Sequence, residues 1–199
     1  MTSLAYISVP ITSGKLFYSL CLKDPKRDKQ EVMKEVISAN YLLGKKLVDK
    51  VAIRSKCPVL YPADLVPIHQ KWEQAHFQAL WLSILSEMCN ELHLCKGWEY
   101  SNGGVEEFTH VMQLRLGLPK HPEYAFWNTK ENEAKARKRM KMIKVFDHTG
   151  KELSLREGYE LITNSVSWLL KKGFQSEKLK RCLKLLEWTE LMTKKGFYQ

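Results

Sequence analysis

The sequence predicts an α/β protein in which helices flank a parallel β-sheet. Short apolar runs alternate with amphipathic stretches of helical length across residues 4–127. Strands that are separated by helices pair in parallel, through right-handed crossovers. Hydrophobic residues make up 44% of the 199 residues and charged residues 27%. This composition is typical of a globular protein and excludes a disordered chain, a collagen-like chain and a coiled coil.

Seven elements are predicted in this part of the chain, in the order β-α-β-α-β-α-β. The first apolar run ends at Pro10, and Gly14 completes the turn behind it. The first long helix is predicted because Val32 and Val36 begin an apolar series at near-helical spacing. Strands are predicted over residues 4–9, 58–61, 91–95 and 123–127, and helices over 28–50, 67–88 and 105–116. The helix over 67–88 has a predicted buried stripe of Phe77, Leu80, Trp81, Ile84, Leu85 and Met88.

The order of elements predicts a Rossmann-like sheet with its ligand site at the carboxyl ends of the strands. The loops after residues 9, 61 and 95 are therefore the candidate site loops. Residues 1–128 form the predicted α/β domain, and residues 129–199 form a basic, mainly helical C-terminal extension packed on or next to it. Two further helices are predicted near 155–172 and 176–194, separated by Gly173.

Positive charge is concentrated in the C-terminal part. The formal net charge is +10, and residues 120–199 contain 18 of the 32 Lys and Arg residues but only 10 of the 22 Asp and Glu residues. This asymmetry predicts either an acidic partner, such as nucleic acid or an anionic surface, or a solvated basic face. The segment over 130–144 has no aromatic platform for single-stranded nucleic acid.

Other sequence features predict a cytoplasmic protein that does not associate with membranes. No apolar run approaches the ~20 residues that span a bilayer, and no basic segment precedes the first apolar run. The five cysteines are scattered and odd in number, a usage that fits a reducing compartment better than a disulfide scaffold or a zinc site. No metal or other cofactor is predicted.

Two loops contain residues suited to chemistry. Residues 8–14 (SVPITSG) follow a strand with hydroxyl side chains and a glycine, which can bind an anion together with backbone N–H groups. Residues 97–107 (GWEYSNGGVEE) join the third strand to a helix that begins with two carboxylates. Either these carboxylates only match the positive end of the helix dipole, or one of them is catalytic.

Three motifs resemble the nucleoside 2-deoxyribosyltransferase-like superfamily. Residues 89–107 (CNELHLCKGWEYSNGGVEE), followed by LGLP at 116–119, resemble the family pattern C-D-A, G-W-E-x-S-x-G-x-x-x-E and L-G-[IL]-P. Residues 6–12 (YISVPIT) resemble the family start Y-I-S-G-P-[IM]-[TS], and residues 61–65 (YPADL) resemble N-P-A-x-L. The resemblance spans roughly residues 4–127, with the motifs in the family order.

The resemblance implies an enzyme that cleaves or exchanges the N-glycosidic bond of a nucleoside or nucleoside 5′-monophosphate. Glu107 is then the nucleophile, a role in which a carboxylate forms a glycosyl-enzyme intermediate. N–H groups at the helix start are expected to keep Glu107 ionised. Ser101 and the amides of residues 102–104 are expected to hold the 5′-phosphate, with Tyr6 and Trp98 beside the base. The full implied substrate-binding set is Tyr6, Ser8, Pro10, Ile11, Thr12, Asp64, Gly97, Trp98, Ser101, Asn102, Gly103 and Gly104.

Three positions depart from the family pattern. The aspartate that family members carry before the C-D-A strand falls on Leu82 or Ser83, neither of which exchanges protons as an aspartate does. Asn90 replaces the aspartate of C-D-A, and Val9 replaces the glycine of the first motif. Asp64, Glu73, His69 and His76 are candidate substitutes for the lost aspartate. One alternative function is therefore a nucleotide-binding, sensing or interaction module of the same fold that has lost catalysis. Another is a nucleic-acid-associated protein whose glycosidase domain is delivered by the basic C-terminal part.

A homo-oligomer is also predicted, because family members commonly close their sites with a neighbouring subunit. The stretches over 67–88 and 176–194 carry wide apolar stripes that include Trp81 and Trp188. Such stripes pack either on another subunit or on each other within one chain.

Overall fold

A four-stranded, all-parallel sheet forms the centre of the molecule. The computed structural model describes residues 4–65, 73–117 and 141–194, apart from the side chains of residues 74, 192 and 193. The strands are Leu4–Ser8 (β1), Val59–Leu60 (β2), Cys89–Leu94 (β3) and Lys144–Phe146 (β4), in the order β2-β1-β3-β4. Tyr6 is in register with Leu60 on one side and Leu92 on the other. The predicted α/β class with a Rossmann-like parallel sheet is confirmed.

Helices cover both faces of this sheet. Within the described part of the chain they are Lys15–Lys23 (α1), Lys29–Arg54 (α2), Gln74–Met88 (α3), Asn102–Arg115 (α4), Leu155–Lys171 (α5) and Glu177–Lys194 (α6). Short 3-10 turns lie at Pro62–Asp64 and Trp98–Tyr100. The Asp28 carboxylate begins α2 by accepting from the N–H groups of Gln30 and Glu31. Ser154 and Glu157 form a capping box at the start of α5, and both devices satisfy N–H groups that lack helical partners.

The core has two parts because successive strand side chains point to opposite faces. On one face, Ala5 and Ile7 pack with residues of α2, including Leu47. On the other face, Tyr6 and Leu92 belong to a larger core that also contains residues of α3, α4, α5 and α6. Helix α5 approaches α4 closely at Gly158, where an added Cβ would lie 1.9 Å from the ring of Phe108.

The first three predicted strands correspond to β1, β2 and β3, with ends shifted by one or two residues. The fourth predicted strand, over 123–127, lies outside the described residues. Strand β4 lies at Lys144–Phe146, where no strand is predicted, because three residues are too short to give a clear strand pattern. Helix α1 was not predicted either. It begins after Gly14, which has a φ of 87° and no side chain to cap the helix.

The C-terminal residues are part of the same core as the N-terminal ones. β4 pairs with β3, and Leu169 of α5 and Leu186 of α6 are buried with Leu92 and Phe108. The domain boundary predicted at residue 128 lies outside the described residues and stays a prediction. The same applies to most of the basic segment over 130–144, so its nucleic-acid role also stays a prediction.

The two apolar stripes expected to support oligomerisation contribute to this core. Leu85 of α3 and Leu186 of α6 are both fully buried within one chain. Trp81 is half-buried and packs against the same core. Oligomerisation stays a prediction, which light scattering of the full chain tests directly. None of the described helices is long and apolar enough to cross a membrane.

Candidate functional site

A cavity of about 300 Å³ lies where β1, β2 and β3 end, as expected for a parallel sheet. We call it the Glu107 cavity. Its volume is at the lower end of the range for small-molecule sites. It is lined by Tyr6, Ile7, Ser8, Val9, Ile11, Thr12, Ser13, Pro62, Phe77, Gln78, Trp81, Ser101, Asn102, Gly103, Gly104 and Glu107. Three predicted site loops and one face of α3 thus meet at one place.

Glu107 and Tyr6 form a buried pair in this cavity. Glu107 lies on α4 and is 7% exposed, while Tyr6 lies in the middle of β1 and is 1% exposed. The Tyr6 hydroxyl donates a 2.7 Å hydrogen bond to Oε1 of Glu107. Because Tyr6 is held by a central strand, this bond fixes the orientation of the carboxylate.

Burial raises the pKa of Glu107 to about 7. The hydroxyls of Ser8 and Tyr6 act in the opposite direction and lower the pKa of Glu107, as does Lys178 to a smaller extent. The negative charge of Glu106 raises it further. The pKa of Tyr6 is raised well above its ordinary value by burial and by the charge of Glu107, so the shared proton stays on the phenol.

The expectation that the helix start would hold Glu107 ionised is wrong. Glu107 is the sixth residue of α4, and the helix dipole acts mainly within the first turn. Its surroundings are instead dominated by burial, which disfavours the charged form. A carboxyl group with a pKa near 7 is present in both protonation states at neutral pH, and pKa shifts of this kind are common at functional sites.

Ser8 supplies an unsatisfied polar atom to the same cavity. Its side chain is 2% exposed, and its Oγ makes no hydrogen bond of normal geometry with any described residue. The Oγ is nevertheless near enough to Glu107 to lower that residue's pKa. A buried hydroxyl without a well-placed partner is costly in a native protein, and a ligand in the cavity would satisfy it.

The start of α4 provides the groups for an anion. Ser101 caps this helix, and the Ser13 hydroxyl donates a 3.2 Å hydrogen bond to Ser101 Oγ. Residues 102–104 line the cavity with the first turn of α4, whose N–H groups and dipole favour negative charge. At Gly104 an added Cβ would lie 3.1 Å from the carbonyl oxygen of Trp98, so a larger residue here would crowd the backbone of the preceding turn.

The C-terminal helices support this turn from outside. The Ser176 hydroxyl donates a 2.7 Å hydrogen bond to Oδ1 of Asn102. The rings of Tyr100 and Trp168 meet edge to face, with their centroids 5.6 Å apart. The C-terminal part of the chain therefore holds the loop that carries Ser101.

Nine of the thirteen predicted site residues line the Glu107 cavity. They are Tyr6, Ser8, Ile11, Thr12, Ser101, Asn102, Gly103, Gly104 and Glu107. Their individual roles toward a substrate stay predictions.

Four predicted binding residues lie elsewhere. The Pro10 carbonyl accepts a hydrogen bond from the Asn40 amide and holds the first loop on α2. Asp64 accepts from Tyr41 at 2.8 Å and pairs with Lys45 at 2.6 Å, on the protein surface. Gly97 forms a left-handed turn with a φ of 84°. Trp98 is buried against Phe108, so packing rather than ligand binding explains its position.

The sequence did not assign the α3 residues Phe77, Gln78 and Trp81 to the cavity. Phe77 and Trp81 were predicted only as parts of a buried stripe, and their one-turn spacing was the available signal. Among the candidate substitutes for the lost aspartate, Asp64 lies outside the cavity, and the Glu73 N–H donates to Nδ1 of His76 at the exposed start of α3. His69 lies outside the described residues. Glu107 is thus the one acidic side chain of the described residues that lines this cavity.

The chain matches no protein-family model, no curated protein and no solved structure. Within residues 4–65, 73–117 and 141–194, no group of three or more His, Cys, Asp and Glu side chains is arranged to hold a metal ion.

Proposed function

We propose that the protein is an N-glycosidase or 2-deoxyribosyltransferase that cleaves the N-glycosidic bond of a nucleoside 5′-monophosphate or a related nucleotide. The observation that supports this most directly is the buried Glu107–Tyr6 pair in a cavity that also contains an anion-binding helix start. A nucleotide needs both features, because its sugar carbon reacts with the carboxylate while its phosphate requires N–H and hydroxyl donors.

In the proposed reaction, ionised Glu107 attacks the anomeric carbon of the sugar. One C–O bond forms, the C–N bond to the base breaks, and the bonding electron pair leaves with the base, which takes a proton from water. Water or a second base then attacks the same carbon and releases Glu107. Tyr6 binds one carboxylate oxygen and so leaves the other oriented for attack.

The remaining lining residues suit the other parts of a nucleotide. Ser13, Ser101 and the first turn of α4 are donors for the 5′-phosphate. Phe77 and Trp81 provide aromatic surface one turn apart on α3, which suits the flat face of a base. The amide of Gln78 lies on the same helix face and can contact polar atoms of the base or sugar.

A second candidate function is nucleotide binding without turnover. It is favoured by the lack of a second acidic side chain among the described residues that line the cavity. Many N-glycosidic cleavages depend on a second group that protonates the leaving base. The lining hydroxyls and N–H groups would bind a nucleotide equally well without that group.

Base release from a substrate panel tests the proposal. The full chain is incubated with nucleosides, nucleoside 5′-monophosphates and dinucleotides, and free base is measured by chromatography. We expect release from at least one 5′-monophosphate, and no release with Glu107→Gln protein. Nucleotide binding without release would support the second candidate. If the wild-type chain neither binds nor cleaves any member of the panel, both functions are excluded for these compounds.

A further inference from the structure

A second cavity, of about 310 Å³, lies between α3, α4 and α6. We call it the Glu106 cavity. It shares only Gln78 with the Glu107 cavity, because Glu106 and Glu107 project from α4 in directions about 100° apart. It is lined by Ala75, Gln78, Ala79, Leu82, Glu106, Thr109, His110, Gln113, Lys178, Arg181, Cys182 and Leu185.

Two amide groups in this cavity are buried donors without a partner. Gln113 is 3% exposed, and its Nε2 has no hydrogen-bond partner within the described part of the chain. Nε2 of Gln78, at the wall between the two cavities, is also buried and unpartnered. Buried side-chain amides are nearly always hydrogen-bonded, so two such donors at one cavity indicate a missing acceptor.

The polar side chains nearest these two amides contact other groups. The Thr109 hydroxyl donates to the Val105 carbonyl at 2.7 Å, and Nε2 of His110 lies 2.6 Å from the Ser86 hydroxyl. The Glu106 carboxylate forms an ion pair with Lys178. None of these described side chains accepts a hydrogen bond from Nε2 of Gln113 or Gln78.

One positive charge at the cavity has no negative partner among the described residues. Lys178 is neutralised by Glu106, whereas Arg181 lines the cavity, is exposed at its mouth and has no ion pair with a described residue. The unmet groups are thus two amide donors and one guanidinium, and a guanidinium only donates. A ligand that satisfies them must be rich in acceptors and negatively charged.

The rest of the lining is apolar. Ala75, Ala79, Leu82 and Leu185 provide a surface for the body of an organic molecule. We propose that the Glu106 cavity is a second ligand site, which binds a small organic anion with its phosphate or carboxylate on Arg181 and Gln113 and its apolar part against α3 and α6. This inference is independent of the proposed glycosidase function, because neither Arg181 nor Gln113 lines the Glu107 cavity.

Ligand titration followed by NMR tests the second site. At 23.3 kDa, the ¹⁵N-labelled full chain gives resolvable side-chain amide signals. The Gln113 signal is assigned by its loss in Gln113→Leu, a change that keeps a side chain of similar size and removes the amide donor. Phenyl phosphate and benzoate are the probes, so the tighter of the two identifies the preferred anionic group.

We expect at least one probe to shift the Gln113 amide, and Arg181→Gln to weaken that binding about tenfold. Lys184→Gln removes an exposed charge from the same helix, outside the cavity, and is expected to leave the affinity unchanged. Arg181 is on the surface, so its variant remains informative if Gln113→Leu fails to fold. The proposal is overturned if neither probe shifts Gln113 at 20 mM. It is equally overturned if Arg181→Gln has no effect, or if the shifts are confined to residues 101–104.

Discussion

The Glu107 and Glu106 cavities place two consecutive carboxylates in opposite surroundings. Glu107 is buried, accepts a hydrogen bond from a neutral phenol and has no cation in direct contact among the described residues. Glu106 is 20% exposed and is paired with Lys178. Burial without a counter-charge raises the pKa of a carboxylate, a shift that is common at functional sites, whereas a carboxylate in an ion pair is commonly structural. The two residues are of one type and adjacent in sequence, so only their surroundings distinguish them.

The largest expected effect separates the two glutamates by activity. Glu107→Gln should nearly abolish base release, because the nucleophile is lost while the cavity volume is kept. The expected loss of transition-state stabilisation is about 5 kcal/mol or more. Glu106→Gln is the matched control and should stay within a few-fold of the wild-type rate. Chromatographic measurement of free base gives both values. Equal activity of the two variants would remove the proposed role of Glu107.

The next effect concerns stability and pH. A carboxylate whose pKa is about 7 in the folded state and about 4.5 when unfolded binds more protons when folded, so stability falls as pH rises from about 4.5 through 7. Glu107→Gln should therefore stabilise the fold at pH 8, by up to about 3 kcal/mol, with a much smaller gain at pH 5.

Urea unfolding at the two pH values measures this difference. Glu106→Gln provides the contrast, since it removes a partly exposed ion pair and should lower the free energy of unfolding by about 1 kcal/mol or less at both pH values. If Glu107→Gln is less stable than wild type at pH 8, the ionised Glu107 carboxylate does not destabilise the fold as we expect from its burial.

The pH dependence of catalysis is expected to respond differently to changes at Tyr6 and at Glu106. If ionised Glu107 is the nucleophile, kcat/KM should rise with pH and level off above about 7. Tyr6→Phe removes a hydrogen bond that favours the ionised form, so the midpoint should move to higher pH. Glu106→Gln should move it to lower pH, because the charge of Glu106 raises the pKa of Glu107. Midpoints that do not move in either variant would show that another group controls the rate.

The smallest expected effect is at the anion end of the Glu107 cavity. Nucleoside 5′-monophosphates should bind more tightly than the matching nucleosides. Ser101→Ala should narrow that gap by about 1–2 kcal/mol through loss of one hydroxyl contact. Calorimetric titration of both ligand types measures the gap. Thr109→Ser, a conservative change on α4 in the Glu106 cavity, serves as the control. Equal affinity for both ligand types in wild type would indicate a nucleoside substrate instead.

The positions of the first three strands and of the loops behind them followed from the sequence, because alternation of apolar and amphipathic stretches is a local property. The resemblance to a known family implied thirteen site residues, and nine of them line one cavity, including Glu107, Ser101 and Ser8. Apolar patterns and short motifs are both properties of neighbouring residues in the chain. They therefore predict elements and site residues that lie within one short segment.

Trp98 and Asp64 show what local patterns leave open. Both belong to site motifs, yet Trp98 packs on Phe108 in the core and Asp64 pairs with Lys45 on α2. Whether each side chain lies in the core, at the surface or in the cavity depends on which helix packs against it, and short motifs do not specify that packing. Phe77 and Trp81 were missed for the same reason, since a stripe on α3 is compatible with both a core and a cavity wall.

The sequence by itself determined the class of fold and the carboxyl-end location of the site, because the order of strands and helices is a property of the linear chain. Its motifs also made Glu107 a candidate, through their resemblance to a known family. Only the tertiary structure decided that Glu107 is buried beside Tyr6, 101 residues away, while Glu106 faces Lys178. It also decided that α3, α4 and α6 leave a second cavity with unmet donors. Burial, counter-charge and hydrogen-bond satisfaction depend on contacts between distant segments, and folding alone brings those segments together.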